Sequence, residues 1–92
     1  MESIRRHIVF SGRVQGVGFR YRASYAARSL SITGWVRNND DGTVEMEAQG
    51  SETQLNRMLS MLNKDSYIRI EKTVMTELPV EENERGFRVT GY

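Results

Sequence analysis

A glycine-rich turn leads directly into a helical pattern in the segment GRVQGVGFRYRASYAARSL, Gly12–Leu30. Gly16 and Gly18 allow the backbone to turn its N–H groups inward without Cβ clashes, and such N–H groups form a concave anion site. A helix that begins just beyond adds partial positive charge. Arg20 could donate two parallel hydrogen bonds to phosphate oxygens. The segment therefore favours a phosphoryl site, although a plain β–α turn with a solvent-facing arginine remains the alternative.

Two common phosphate motifs do not fit this segment. It is not a Walker A loop, because no Gly-Lys-Ser/Thr ends it. It is not a dinucleotide fingerprint, because the third glycine is missing and 92 residues are too few for that fold. Any phosphoryl site here must therefore use the turn, the helix start and Arg20 in another arrangement.

Asn38 is the second candidate, because it ends a strand-like segment just before a hairpin signal, Asn39–Gly42. A carboxamide both donates and accepts hydrogen bonds, so it could hold a water molecule in one orientation. Asparagine is also a common turn former, and this interpretation stays open. Tyr21 and Tyr25 lie four residues apart on the predicted helix, where we expect partly buried packing rather than a substrate role.

The elements that must position these residues follow from the hydrophobic periodicity. Strand patterns open at His7, Ile32, Val44 and Ser66, and a short one closes the chain at Gly86. Helical spacing follows the glycine-rich turn, and a capping box at Ser51–Gln54 opens a second helix. The order is β-α-β-β-α-β plus a short last strand. This order predicts an α+β, ferredoxin-like split βαβ sandwich, with two helices on one face of an antiparallel sheet.

Composition supports one domain over residues 1–92. The chain is 38% hydrophobic and 27% charged, and it contains no cysteine, which excludes disulfides and thiolate nucleophiles. No apolar run is long enough for a membrane span, so we expect a cytoplasmic protein without a membrane partner. Residues 1–40 contain seven Lys and Arg against two Asp and Glu, so this half could attract an anion.

Two longer segments carry a resemblance to a known family. GRVQGVGFR, Gly12–Arg20, resembles the first signature of the acylphosphatases, and GWVRNNDDGTVE, Gly34–Glu45, resembles their second. The similarity runs across nearly the whole chain, and the family's fold agrees with the element order above. The resemblance implies hydrolysis of a carboxyl–phosphate mixed anhydride to a carboxylate and inorganic phosphate.

The resemblance also implies a role for individual residues. Arg20 would bind the phosphoryl group, and Asn38 would position the attacking water. The loop residues would cradle phosphate oxygens with their backbone N–H groups; they are Gln15, Gly16, Val17, Gly18 and Phe19. The family needs no metal or other cofactor. Its partners would be a small acyl phosphate, with inorganic phosphate or sulfate as a competing anion, and nothing in the sequence indicates more than a monomer.

The chain departs from the family pattern at two places. Relatives usually have glycine after the first helix, where this chain has Ser31, and a C′ glycine replaced there costs up to about 1 kcal/mol if φ is positive. Many relatives carry Gly-Pro-Pro after the second helix, where this chain has Asn63–Tyr67. The resemblance therefore does not fix where the next strand begins.

Two other functions are compatible with the predicted topology. RNA-binding domains share it, but the segment Gln15–Phe19 lacks their aromatic motif and follows the first strand rather than forming the third. We therefore expect no nucleic-acid partner. The second alternative is a module that binds an anion without turning it over. Hydrolysis of a synthetic acyl phosphate separates this alternative from an enzyme.

Overall fold

The computed structural model describes residues 2–91 as five strands and two helices. In chain order the elements are β1 (Ile4–Arg13), α1 (Phe19–Ser29), β2 (Thr33–Asn38), β3 (Val44–Gly50), α2 (Glu52–Lys64), β4 (Arg69–Leu78) and β5 (Phe87–Thr90). The predicted order of elements is confirmed. Within residues 2–91, neither helix is long and apolar enough to cross a membrane.

The five strands form one sheet in the order β4-β1-β3-β2-β5. β1 pairs antiparallel with β3 and β4, and β2 pairs antiparallel with β3. The short β5 lies parallel to β2, so the sheet is mixed and the prediction of an antiparallel sheet is wrong for this strand. The direction of β5 follows from the connection 79–86. This connection crosses from β4 to the other outer position at one end of the sheet, so β5 enters the sheet from the end at which β4 leaves it.

One face of the sheet and the two helices enclose the core. Alternate residues of β3 are fully buried, as their spacing predicts, and on β1 Ile8 and Phe10 face the same core. The small buried alanines of α1 let the helix lie close to the sheet, while leucine and methionine fill the space under α2. The buried apolar helix residues are Phe19, Ala23, Ala26 and Ala27 on α1, and Leu55, Met58 and Leu62 on α2.

β4 begins later than its sequence pattern predicts. The hydrophobic spacing places its start at Ser66, but the strand begins at Arg69. The backbone N–H of Tyr67 instead donates to Oδ1 of Asp65 at 2.8 Å. Such an Asx turn uses a backbone group that a strand would need for its ladder. Ile68 is buried just before the strand, whereas Ile70 is half-buried and most of β4 is exposed.

The sheet face opposite the helices carries a charged network that covers part of it. Arg5 is only 3% exposed, and its guanidinium donates to Glu84 at 2.7 Å and to Glu47 at 2.8 Å. Burial raises the pKa of Glu84, but the hydrogen bonds from Arg5 and Thr33 and the charges of Arg5 and Arg88 together leave this pKa below its usual value. Through Arg5 the network fastens the connection 79–86 to the sheet and so supports the position of β5.

The end of α1 contains a left-handed residue that is not glycine. Ser31 has a φ of 59°, and its N–H donates to the carbonyl of Arg28 at 3.3 Å. The N–H of Ile32 donates to the carbonyl of Ala27 at 2.8 Å. These two bonds form a Schellman motif, in which glycine is the usual residue at the position of Ser31.

We predict that Ser31→Gly raises the free energy of unfolding by about 0.5–1 kcal/mol, because glycine adopts this φ without a Cβ penalty. Urea denaturation measures the change. Ser60→Gly is the matched control. Ser60 is a solvent-exposed residue in the middle part of α2, and glycine within a helix lowers the free energy of unfolding by about 0.5–1 kcal/mol. If both variants are destabilised alike, the left-handed serine is not strained.

Candidate active site

The N-terminus of α1 has no side-chain cap. Its N-cap is Gly18, with φ of 79°, which offers no side-chain cap, and its first turn contains no acidic residue. The first turn of a helix leaves backbone N–H groups without helical acceptors and carries partial positive charge. Residues 19–21 therefore present donors at this end of α1.

α2 shows the contrasting arrangement within the same chain. The side chain of Ser51 accepts from the N–H of Gln54 at 3.1 Å, and the Gln54 side chain accepts from the N–H of Ser51 at 2.8 Å. Glu52 adds a negative charge in the first turn. The N-terminus of α2 is thus satisfied and neutralised, whereas that of α1 is available to an external anion.

The loop before α1 is shaped by two left-handed glycines. Gly16 has φ of 73°, and a Cβ placed on it would meet nothing within 4 Å, so its backbone faces open space. Val17 packs against the core, and its carbonyl accepts a hydrogen bond from Nη1 of Arg22 at 3.0 Å. Because a trans peptide directs its C=O and N–H in opposite directions, the N–H of Gly18 points away from Arg22.

Gln15 connects the loop to the β2–β3 hairpin. Its Nε2 donates to the carbonyl of Asn39 at 2.7 Å and to the carbonyl of Thr43 at 2.9 Å. Inside the hairpin, the N–H of Asn39 donates to the Thr43 carbonyl at 2.9 Å. One carboxamide therefore fixes the glycine-rich loop against the turn that follows Asn38.

Asn38 is the last residue of β2 and pairs with Val44 of β3. Because side chains alternate along a strand, Asn38 shares a face with buried Val36, and Arg37 points to the opposite face. Arg37 donates to Glu45 at 3.0 Å, which keeps its guanidinium on the charged side of the sheet. The neighbour of Asn38 is therefore directed away from the N-terminus of α1.

The loop, the helix and the strand together form a cleft of about 320 Å³. Five of the predicted site residues line it; they are Gly16, Gly18, Phe19, Arg20 and Asn38. Gln15 and Val17 do not line it, although both hold the loop in place. The sequence analysis missed three further lining residues; they are Val14, Tyr21 and Val89.

The cleft has a positive character among the residues that the structure describes. Its lining includes Arg20 and no carboxylate. Phe19 contributes its backbone only, because its side chain is 1% exposed and packs on Phe10 with ring centroids 4.9 Å apart. Backbone donors, a helix N-terminus and a guanidinium around one concave surface are suited to a doubly charged tetrahedral oxyanion such as a phosphoryl group.

Val89 reaches the cleft through a pairing that the sequence analysis did not predict. Its strand lies parallel to β2, with Val89 opposite Val36. A four-residue strand carries no sequence signal for its long-range partner, so only the folded structure reveals this pairing.

Within residues 2–91, no group of three His, Asp or Glu side chains lies close enough together to hold a metal ion.

Comparison with known proteins agrees with this architecture. The family model "Acylphosphatase" matches residues 6–89. An acylphosphatase of Clostridium acetobutylicum is 46% identical over 79 residues, which cover 85% of this chain and 87% of that protein. An acylphosphatase of Geobacillus thermodenitrificans is 42% identical over 86 residues, or 92% of each chain. The crystal structure of acylphosphatase from Bacillus subtilis superposes with a TM-score of 0.87 at 32% identity, covering 96% of this chain and 99% of that one. The chain belongs to the acylphosphatase family.

Proposed function

We propose that the cleft hydrolyses acyl phosphates, with Arg20 and the backbone N–H groups of the loop holding the phosphoryl group and Asn38 orienting the attacking water. One observation carries the proposal: Arg20, Asn38 and the uncapped N-terminus of α1 line the same cleft. The chemistry of the donors fits a phosphoryl group. Family membership supports the reaction class.

The reaction needs few protein groups. The oxygen of water forms a bond to phosphorus, and the bond between phosphorus and the carboxyl oxygen breaks. The electron pair leaves with the carboxylate, which is stable at neutral pH without a proton, so no general acid is required. The water proton passes to an oxygen of the substrate's own phosphate. The protein supplies alignment and charge stabilisation, which are the main demands of phosphoryl transfer.

We further propose that the reaction is independent of metal ions. Arg20 and the N-terminus of α1 occupy the role that a cation has in many phosphoryl-transfer sites, because both face the charge that spreads over the phosphate oxygens. The leaving carboxylate has a low pKa and needs no Lewis acid to stabilise it.

We predict that the protein hydrolyses acetyl phosphate at the same rate with and without EDTA, and that inorganic phosphate inhibits competitively. Phosphate release measured in metal-stripped buffer tests this. A rate lost in EDTA and restored by Mg²⁺ would refute metal independence. Tight phosphate binding without any turnover would instead identify a binding module and refute the enzymatic proposal.

RNA recognition is a weaker proposal for this fold. Phe19 is buried in the core and cannot stack on a base. The sheet face that RNA-binding domains use carries Glu45, Glu47 and Glu84 in ion pairs with arginines, and these pairs occupy part of the surface on which bases would stack. A small anion in the cleft remains the better match.

A further inference from the structure

A second concavity lies beside the cleft, between α1 and α2. We call it the helix groove; it measures about 330 Å³, and its apolar wall consists of Tyr21, Tyr25, Met61 and Leu62. This volume lies within the range of roughly 300–1,000 Å³ that small-molecule sites occupy. Tyr21 lines the groove and the cleft alike, so the two concavities share a wall.

The exposure of the wall corrects an expectation from the sequence. Tyr21 is 75% exposed and Tyr25 is 65% exposed, so the partly buried packing predicted for them is wrong. The buried alanines of α1 lie towards the sheet, and the tyrosines occupy the outer side of the helix. Met61 on α2 adds a further exposed apolar side chain, 39% exposed. These rings gain little from burial within the protein itself, and they are free to contact a ligand.

The polar end of the groove is internally neutralised. Arg22 forms an ion pair with Asp65, and its guanidinium carbon lies 5.3 Å from the centroid of the Tyr67 ring. Both charges in the lining therefore satisfy each other rather than an external charged group. A ligand in this groove would meet aromatic and aliphatic surface, and not an unbalanced cation or anion.

We propose that the helix groove receives the acyl part of the substrate, and that the enzyme therefore prefers acyl phosphates with an uncharged apolar chain or ring. This inference rests on the proposed function. With the phosphoryl group at the N-terminus of α1, an acyl group that leaves the cleft past Tyr21 enters the groove directly. The position of the groove next to the cleft, with Tyr21 in both linings, favours this occupant over a protein partner, which would need a larger surface than the groove offers.

The experiment compares hexanoyl phosphate with acetyl phosphate, whose methyl group is too short to extend beyond Tyr21. The quantity measured is the ratio of kcat/KM for hexanoyl phosphate to that for acetyl phosphate. We expect this ratio to exceed one in the unmodified protein and to fall about 3–10-fold in Tyr25→Ala and in Met61→Ala. The fall should appear in KM for hexanoyl phosphate with kcat retained, because the contact binds ground state and transition state equally.

Met75→Ala is the matched control, since Met75 is an exposed methionine on β4, 48% exposed, that does not line the groove. It should leave the ratio unchanged. An unchanged ratio in Tyr25→Ala and Met61→Ala would overturn the inference, and so would an equal fall in Met75→Ala. Sedimentation of the unmodified protein as a dimer that Tyr25→Ala dissociates would assign the groove to a second copy and overturn it too. Absence of turnover with both substrates is a separate outcome, which would refute the proposed function and the inference with it.

Discussion

Arg20→Gln is expected to lower kcat/KM for acetyl phosphate by about 10²–10³-fold or more. Glutamine removes the positive charge and the two parallel donors of the guanidinium, which we propose face the charge that develops on the phosphate oxygens. The loss should affect both KM and kcat, because in the proposed mechanism Arg20 holds the phosphoryl group in the ground state and in the transition state. Steady-state phosphate release measures both constants.

Two further variants make this result specific. Arg28→Gln removes the same charge from the last turn of α1, outside the lining of the cleft, and should change kcat/KM by less than about twofold, as expected of a distant surface charge. Arg20→Lys retains the charge but not the paired donors, and should recover part of the loss. A normal rate in Arg20→Gln, with the fold intact by circular dichroism, would remove Arg20 from the site.

Asn38→Ala is expected to lower kcat by about 10²-fold or more while KM changes little. The variant keeps the loop, the helix N-terminus and Arg20, so the substrate still binds. It removes the carboxamide that we propose aligns water with phosphorus opposite the leaving oxygen. Single-turnover measurement of phosphate release isolates this chemical step.

The matched control is Asn56→Ala on the exposed side of α2, where the same truncation should leave kcat unchanged. Thermal denaturation of Asn38→Ala should give a midpoint close to that of the unmodified protein, because Asn38 ends a strand and does not fill the core. If Asn38→Ala turns over at the normal rate, another group must orient the water.

Much of this site could be predicted from local sequence. The loop glycines, the helix start at Phe19 and the end of β2 at Asn38 each follow from a few consecutive residues whose φ preferences or periodicity are strong. The positive φ of Ser31 after α1 was not predicted from local sequence; only the family resemblance pointed to this position, where glycine is usual. Local rules succeed here because each feature depends on its neighbours in the chain.

The features that sequence analysis missed depend on distant contacts. β5 lies parallel to β2, and this places Val89 in the cleft. The side chain of Gln15 reaches the carbonyls of Asn39 and Thr43, more than twenty positions away. The exposure of Tyr21 depends on where α2 crosses α1. None of these contacts leaves a periodic signal, so only the assembled fold reveals them.

The central claim is that Arg20 and Asn38 have different roles: Arg20 binds the phosphoryl group, and Asn38 orients the attacking water. Isothermal titration of inorganic phosphate into the two variants tests it most directly, because phosphate binding requires the first role and not the second. The account predicts that Arg20→Gln weakens phosphate binding by about tenfold or more, while Asn38→Ala stays within about threefold of the unmodified protein. Equal weakening in both variants, or undiminished binding in Arg20→Gln, would contradict it.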